Sequence, residues 1–139
     1  MKPISILLVD ENPIFLDVIS RFLLDDFSNK VVLVGKTTTY AEGKHLAQKL
    51  HPEVILADHG FPDQKGLPCV AAIRRLVPDV GIIVRTLLDK PGYRKSVLAA
   101  GADEFLRKDK IFHDLLFIIN RVITARTPWD TKLTSNGKF

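Results

Sequence analysis

Ile4-Ser5-Ile6-Leu7-Leu8-Val9-Asp10-Glu11-Asn12-Pro13 decides the architecture of this 139-residue chain. Six mostly apolar residues, rich in branched side chains, stop abruptly at two acids. So short a run, flanked by polar residues, suits a strand buried on both faces. Asn12-Pro13 then offers a helix N-cap and a first-turn proline. Phe15, Val18, Ile19, Phe22 and Leu23 follow at helical spacing, with Asp17, Ser20 and Arg21 between them. A buried strand feeding an amphipathic helix is the opening of a βαβ unit.

The same alternation continues outward. Val31–Val34, Val54–Ala57, Val80–Val84 and Glu104–Leu106 read as strands. Tyr40–Leu50, Gly66–Val77, Tyr93–Ala100 and Ile111–Ala125 read as helices, Gly66–Val77 ended by Pro78 and Tyr93–Ala100 closed by Gly101 as C-cap. Five βα units predict an α/β fold with a five-stranded parallel sheet and helices on both faces, because parallel strands need crossover connections. Residues 126–139, which include Trp129, lose the periodicity and read as a C-terminal tail or linker.

Composition bounds the function classes. At 46% hydrophobic and 26% charged, the chain matches an ordinary soluble globular domain rather than a disordered one. A single cysteine, Cys69, excludes an intramolecular disulfide and leaves too few thiols for a zinc site. The longest apolar runs, Cys69–Ile73 and Leu115–Ile119, are far too short to span a bilayer, and the N-terminus is too short of apolar residues for a secretory signal. The expected location is cytoplasmic, with no membrane partner. A formal charge of +4 without a basic run is weak support for a nucleic-acid surface.

In parallel α/β sheets, ligands sit at the carboxyl ends of the strands. Asp10 and Glu11 close the first strand, Asp58 the third, Thr86 the fourth, and Lys108 follows the fifth. Gathered carboxylates repel one another unless protons or a cation join them. Mg²⁺ is the natural candidate because it takes carboxylate, water and phosphate oxygens. Singly, each residue has an ordinary structural reading: helix N-terminal acids, a turn former, a strand threonine, a surface lysine. Their joint placement at successive strand ends outweighs those readings.

These residues resemble the receiver domain of two-component response regulators, over about residues 4–125. The acidic pair lies in Leu7-Leu8-Val9-Asp10-Glu11-Asn12-Pro13. The acceptor loop is Val54-Ile55-Leu56-Ala57-Asp58-His59-Gly60-Phe61-Pro62-Asp63-Gln64-Lys65-Gly66, with Asp58, Pro62 and Gly66 at the family's spacing. The switch hydroxyl follows in Ile82-Ile83-Val84-Arg85-Thr86, and the lysine in Gly101-Ala102-Asp103-Glu104-Phe105-Leu106-Arg107-Lys108-Asp109. That last segment most resembles receivers that precede helix-turn-helix output domains.

The resemblance implies a flavodoxin-like (βα)5 fold with strand order 2-1-3-4-5. It implies a signalling phosphoacceptor rather than an enzyme, with weak self-phosphorylation and self-dephosphorylation at most. Asp58 would take a phosphoryl group from a histidine kinase or phosphotransfer protein. Mg²⁺ would be held directly by Glu11, Asp58 and the Gly60 carbonyl, with Asp10 an outer ligand through water. Lys108 would pair with the phosphoryl group, and Thr86 and Phe105 would form the switch. Self-association is a second expected partnership, and DNA would be reached only through an output domain absent from these residues.

Four residues depart from the family pattern. Glu11 stands for the commoner Asp, Leu87 for a small residue beside the phosphoryl pocket, Arg85 for an apolar strand residue, and Phe105 for Tyr. Glu11 and Leu87 also suggest the alternative of a degenerate receiver, a protein-interaction module that works without phosphorylation. A haloacid-dehalogenase-like phosphatase needs an Asp where Gly60 stands, and an FMN-binding loop would be repelled by Asp10-Glu11. His59 reads as a loop residue and Cys69 as core. In the last helix, Ile111, Leu115, Ile118 and Val122 form one apolar ridge and Phe112, Leu116, Ile119 and Ile123 another, with Phe117 outside both. That width suggests a self-association or partner surface.

Overall fold

The computed structural model describes residues 2–60, 63–87 and 89–126. Pro62 of the acceptor loop and Trp129 of the tail lie outside these described residues. Five strands, β1 (Ile4–Val9), β2 (Val31–Thr37), β3 (Val54–Asp58), β4 (Gly81–Thr86) and β5 (Glu104–Arg107), alternate with five helices. The helices are α1 (Pro13–Asp26), α2 (Tyr40–Leu50), α3 (Leu67–Leu76), α4 (Tyr93–Ala100) and α5 (Ile111–Arg126). The strands pair in parallel in the order β2-β1-β3-β4-β5, as expected.

β1 has the double-sided burial that its sequence predicted. Ile6 and Leu8 join a core with Phe15, Ile19, Leu23, Ile111, Leu115 and Ile119, which places α1 and α5 on one face. Leu7 and Val9 face a second core with Ala47, Val70, Ile73, Val97 and Phe105, which places α2, α3 and α4 on the other. Burial of two apolar faces against helices is the main stabilising term for such a sheet. Cys69 is buried in the second core, as expected.

Several boundaries differ from the sequence reading. β2 continues through Gly35-Lys36-Thr37, because Leu7–Val9 pair with these residues beyond a register shift that skips Val34 of β2. β4 runs past Val84 to Thr86, since Arg85 pairs with Asp58 and Thr86 with Arg107. A strand edge set by a neighbour's backbone carries no apolar mark in its own sequence. Lys108–Lys110 form a turn of 3₁₀ helix that leads into α5.

Local chemistry fixes the helix that begins beside the site. The Asn12 side chain accepts hydrogen bonds from the Ile14 and Phe15 N–H groups, and Pro13 occupies the first turn. In α5, Ile111, Leu115, Ile118 and Val122 are buried, whereas Phe112 and Phe117 are exposed. Among the described residues, no helix is long and apolar enough to cross a membrane.

Candidate functional site at the carboxyl edge of the sheet

Asp10 follows β1, Asp58 ends β3, and Arg85 lies in β4 directly beside Asp58 in register. The sheet therefore delivers three charged side chains to one spot. Arg85 meets Asp10 through two parallel contacts: Nε donates to Oδ2, and Nη2 donates to Oδ1 at 2.5 Å. The same Nη2 lies 3.7 Å from Asp58 Oδ1. Arg85 and Asp10 side chains are each only 5% exposed, so this is a buried charge pair.

The guanidinium suits the task because it is planar, always charged, and forked to match a carboxylate. Its Cζ lies 4.1 Å from the Phe15 ring centroid, which adds a cation–π contact. Burial raises the Asp10 carboxyl above its ordinary pKa, while the hydrogen bond and charge of Arg85 oppose that rise. Asn12 N–H also donates to Asp10 Oδ1, at 2.8 Å.

Asp58 is surrounded by donors. The Gly60 N–H donates to its Oδ1 at 3.0 Å, and the Glu11 N–H to its Oδ2 at 3.3 Å. The Tyr40 hydroxyl donates to Oδ2 at 3.4 Å. Burial first, then the Asp58 charge, raises the pKa of this phenol and keeps it a donor. Two glycines shape the loop. Gly60 adopts φ +82°, and a Cβ on Gly66 would lie 1.9 Å from the Asp58 carbonyl oxygen.

Glu11 turns away to Lys65, whose Nζ lies 3.0 Å from Glu11 Oε1. The hydrogen bond and charge of Glu11 raise the Lys65 pKa. Lys108 meets the Phe15 ring that Arg85 also contacts. Its Nζ stands 4.8 Å from the Phe15 ring centroid, and it helps line a largely apolar groove of about 470 Å³ with Ile14, Val18, Leu87 and Phe112. The structure thus brings Asp10 and Asp58 together through Arg85, and sends Glu11 and Lys108 to other partners.

Thr86 and Phe105 are both buried, and His59, next to Asp58 in sequence, approaches each of them. His59 is fully buried. Its Nδ1 lies 3.5 Å from Thr86 Oγ1, its Nε2 lies 3.2 Å from Gln64 Oε1, and its ring packs 4.5 Å from that of Tyr93. Its edge faces Phe105 at 6.4 Å. Burial lowers its pKa, against the opposing effects of Gln64 and Asp58. A loop reading of His59 missed this role in packing. The alternation of residues after β3 held no mark of it.

Mg²⁺ does not fit this arrangement. Both Asp10 oxygens face a permanent cation, and a Glu11 oxygen faces another. Among the described residues, no three His, Cys, Asp or Glu side chains converge on one point. The one visible sequence mark was Arg85 itself, a charge within a strand otherwise apolar up to Thr86.

With fold and site described, the comparisons place the chain. The model of the response regulator receiver domain matches residues 6–120, and the chain belongs to that family. The nitrate/nitrite response regulator protein NarL of Escherichia coli is 26% identical over 133 residues, covering 96% of this chain and 61% of NarL. The C4-dicarboxylate response regulator DctR of Halalkalibacterium halodurans is 32% identical over 112 residues, covering 81% of this chain and 48% of DctR. The chain therefore spans about half to three-fifths of the length of these relatives. In fold, it resembles the signal receiver domain of a NarL response regulator from Mycobacterium tuberculosis, with a TM-score of 0.78 at 24% identity over 89% of this chain and 98% of the other.

Proposed function

We propose that this receiver acts in two-component signalling as a protein-interaction module whose partner-facing surface is set without a phosphoryl group on Asp58. The observation that carries this reading is the Arg85 guanidinium, which pairs with Asp10 and reaches Asp58 inside the site. The two residues that would change on phosphorylation are buried: Thr86 is 0% and Phe105 5% exposed. Partner binding then falls to the surface around α4, β5 and α5, where Arg94, Lys95, Arg107 and Arg121 are exposed. A histidine kinase, a phosphotransfer protein or a second copy of the chain are the partners that family membership suggests. The name of relatives such as the transcriptional regulatory protein DegU of Brevibacillus brevis supports an output in transcription; in this reading DNA is reached through a helix-turn-helix output domain outside these residues, in the cytoplasm. The chain would be no enzyme.

A specific observation favours a second reading. The Glu11 and Gly60 N–H groups point at the Asp58 carboxylate, where they would also stabilise an added anion. In that reading Asp58 accepts a phosphoryl group from a kinase, Thr86 and Lys108 contact it, and Thr86 with Phe105 switches the face. Glu11, Asp58 and the Gly60 carbonyl would be the direct ligands of Mg²⁺ and Asp10 an outer one through water, which requires Arg85 and Lys65 to leave their carboxylates.

Intact-mass measurement after incubation with acetyl phosphate and Mg²⁺ decides between the two, with Asp58→Asn as control. The expected result is no adduct on either protein. One phosphoryl group on the parent, absent from the variant, would overturn the proposal and install the second reading.

A further inference from the structure

We infer that Arg85 is the resident cation of this site: its guanidinium occupies the place between Asp10 and Asp58 that a divalent ion would need, so the folded domain binds no Mg²⁺ there. The inference deepens the function proposed above and rests on it for its consequence, a receiver independent of divalent ions.

Three observations converge on Arg85, and a fourth concerns Glu11. The guanidinium is joined to Asp10 by two contacts and lies 3.7 Å from Asp58, so one group bridges both acids. It is held in place by the Phe15 ring at 4.1 Å and by burial that leaves its side chain 5% exposed. Its register opposite Asp58 in β4 fixes its starting point, so the charge is carried by the sheet rather than by a mobile loop. Finally, the third acid expected near the site, Glu11, is engaged by Lys65.

Electrostatics explains why the two cations exclude each other. An arginine cannot shed its proton in a protein, so a metal arriving beside it would meet a fixed positive charge. A metal bound in its stead would have to expel the guanidinium from Asp10 and strand it, unpaired, in a buried position. Either route removes the advantage of carboxylate ligation. With Arg85 deleted, Asp10 and Asp58 lose the charge that joins them, and their repulsion is relieved by taking up a cation. The same substitution that costs the ion pair should therefore create a metal site.

Mn²⁺, followed by the loss of its free electron-paramagnetic signal, is the probe. The wild-type chain is expected to leave millimolar Mn²⁺ free and to show the same melting temperature with and without Mg²⁺. Arg85→Leu, checked for folding by circular dichroism, is expected to take up one Mn²⁺ that Mg²⁺ displaces. Adding Asp58→Asn to that variant should abolish the uptake.

Uptake of one Mn²⁺ by the wild-type chain, reversed by Asp10→Asn, would overturn the inference, as would a folded Arg85→Leu chain that takes up none. Should Arg85→Leu fail to fold, the wild-type titration still decides. The two proposals also fail separately. An acetyl-phosphate adduct formed in the presence of a chelator would sink phosphorylation independence but leave the resident cation standing. Mn²⁺ uptake by a wild-type chain that forms no adduct would do the reverse.

Discussion

At Arg85 and Asp10, each charge is tolerable only because the other is there. Removing one partner of a buried, hydrogen-bonded pair leaves an uncompensated charge and costs about 3–5 kcal/mol. Asp10→Ala is accordingly expected to lower stability by that order, and Asp10→Asn by less, because the amide oxygen still accepts from Arg85. Urea denaturation of the two variants side by side checks both the size and the ranking. Cys69 offers a pH test at the same scale. Burial pushes its thiol up to about 11. The unfolded chain therefore ionises first, and the stability contributed by the neutral thiol declines as pH rises from the ordinary thiol value toward about 11. Native alkylation by iodoacetamide is expected to stay slow at about pH 8.5, where the denatured chain reacts readily.

Among the elements, α1 begins where the site ends, and Asn12 serves both. Its side chain satisfies two N–H groups of the first turn, while its own N–H holds Asp10. Asn12→Ala should cost about 1 kcal/mol and Asn12→Gly only a few tenths, the usual ranking for an N-cap. A shift in denaturation midpoint at constant slope is the expected reading, and an Ala variant no weaker than Gly would refute the capping role. The loop from β3 to α3 is constrained differently. Gly66 leaves room for the Asp58 carbonyl, so Gly66→Ala must move backbone that carries Asp58 and His59. That alanine is expected to destabilise the chain more than the loss of the cap does, and thermal melting of the two variants makes the comparison.

For the whole molecule, Asp103 ties the far end of the sheet to two helices. Its carboxylate accepts from Arg74 of α3 at 2.9 Å, from Arg126 of α5 at 2.7 Å and from the Ile82 N–H of β4 at 2.8 Å. Arg74 also donates to the Gly101, Pro78 and Val80 carbonyls. Asp103→Ala is predicted to cost about 1.5–3 kcal/mol, the range for hydrogen bonds to charged groups. Because the loss falls on contacts between layers, the urea midpoint should fall with the transition still cooperative.

What the sequence determined by itself was the part governed by local periodicity. Four apolar residues in a row at Ile6–Val9 demand cover on both faces, and the helical spacing after Asn12 supplies part of it, so alternation of strands and helices follows from short-range patterning. Placement of Asp10, Asp58 and Thr86 at strand ends followed from the same alternation. The partner of each charge did not follow. Arg85 and Asp10 are 75 residues apart, and only the parallel pairing of β1, β3 and β4 brings them together. His59 likewise became a packing residue only once α4 brought Tyr93 against it. Periodicity is a property of neighbours along the chain, whereas an ion pair depends on distance in space. Tertiary structure alone therefore decided which side chain each acid of the site meets.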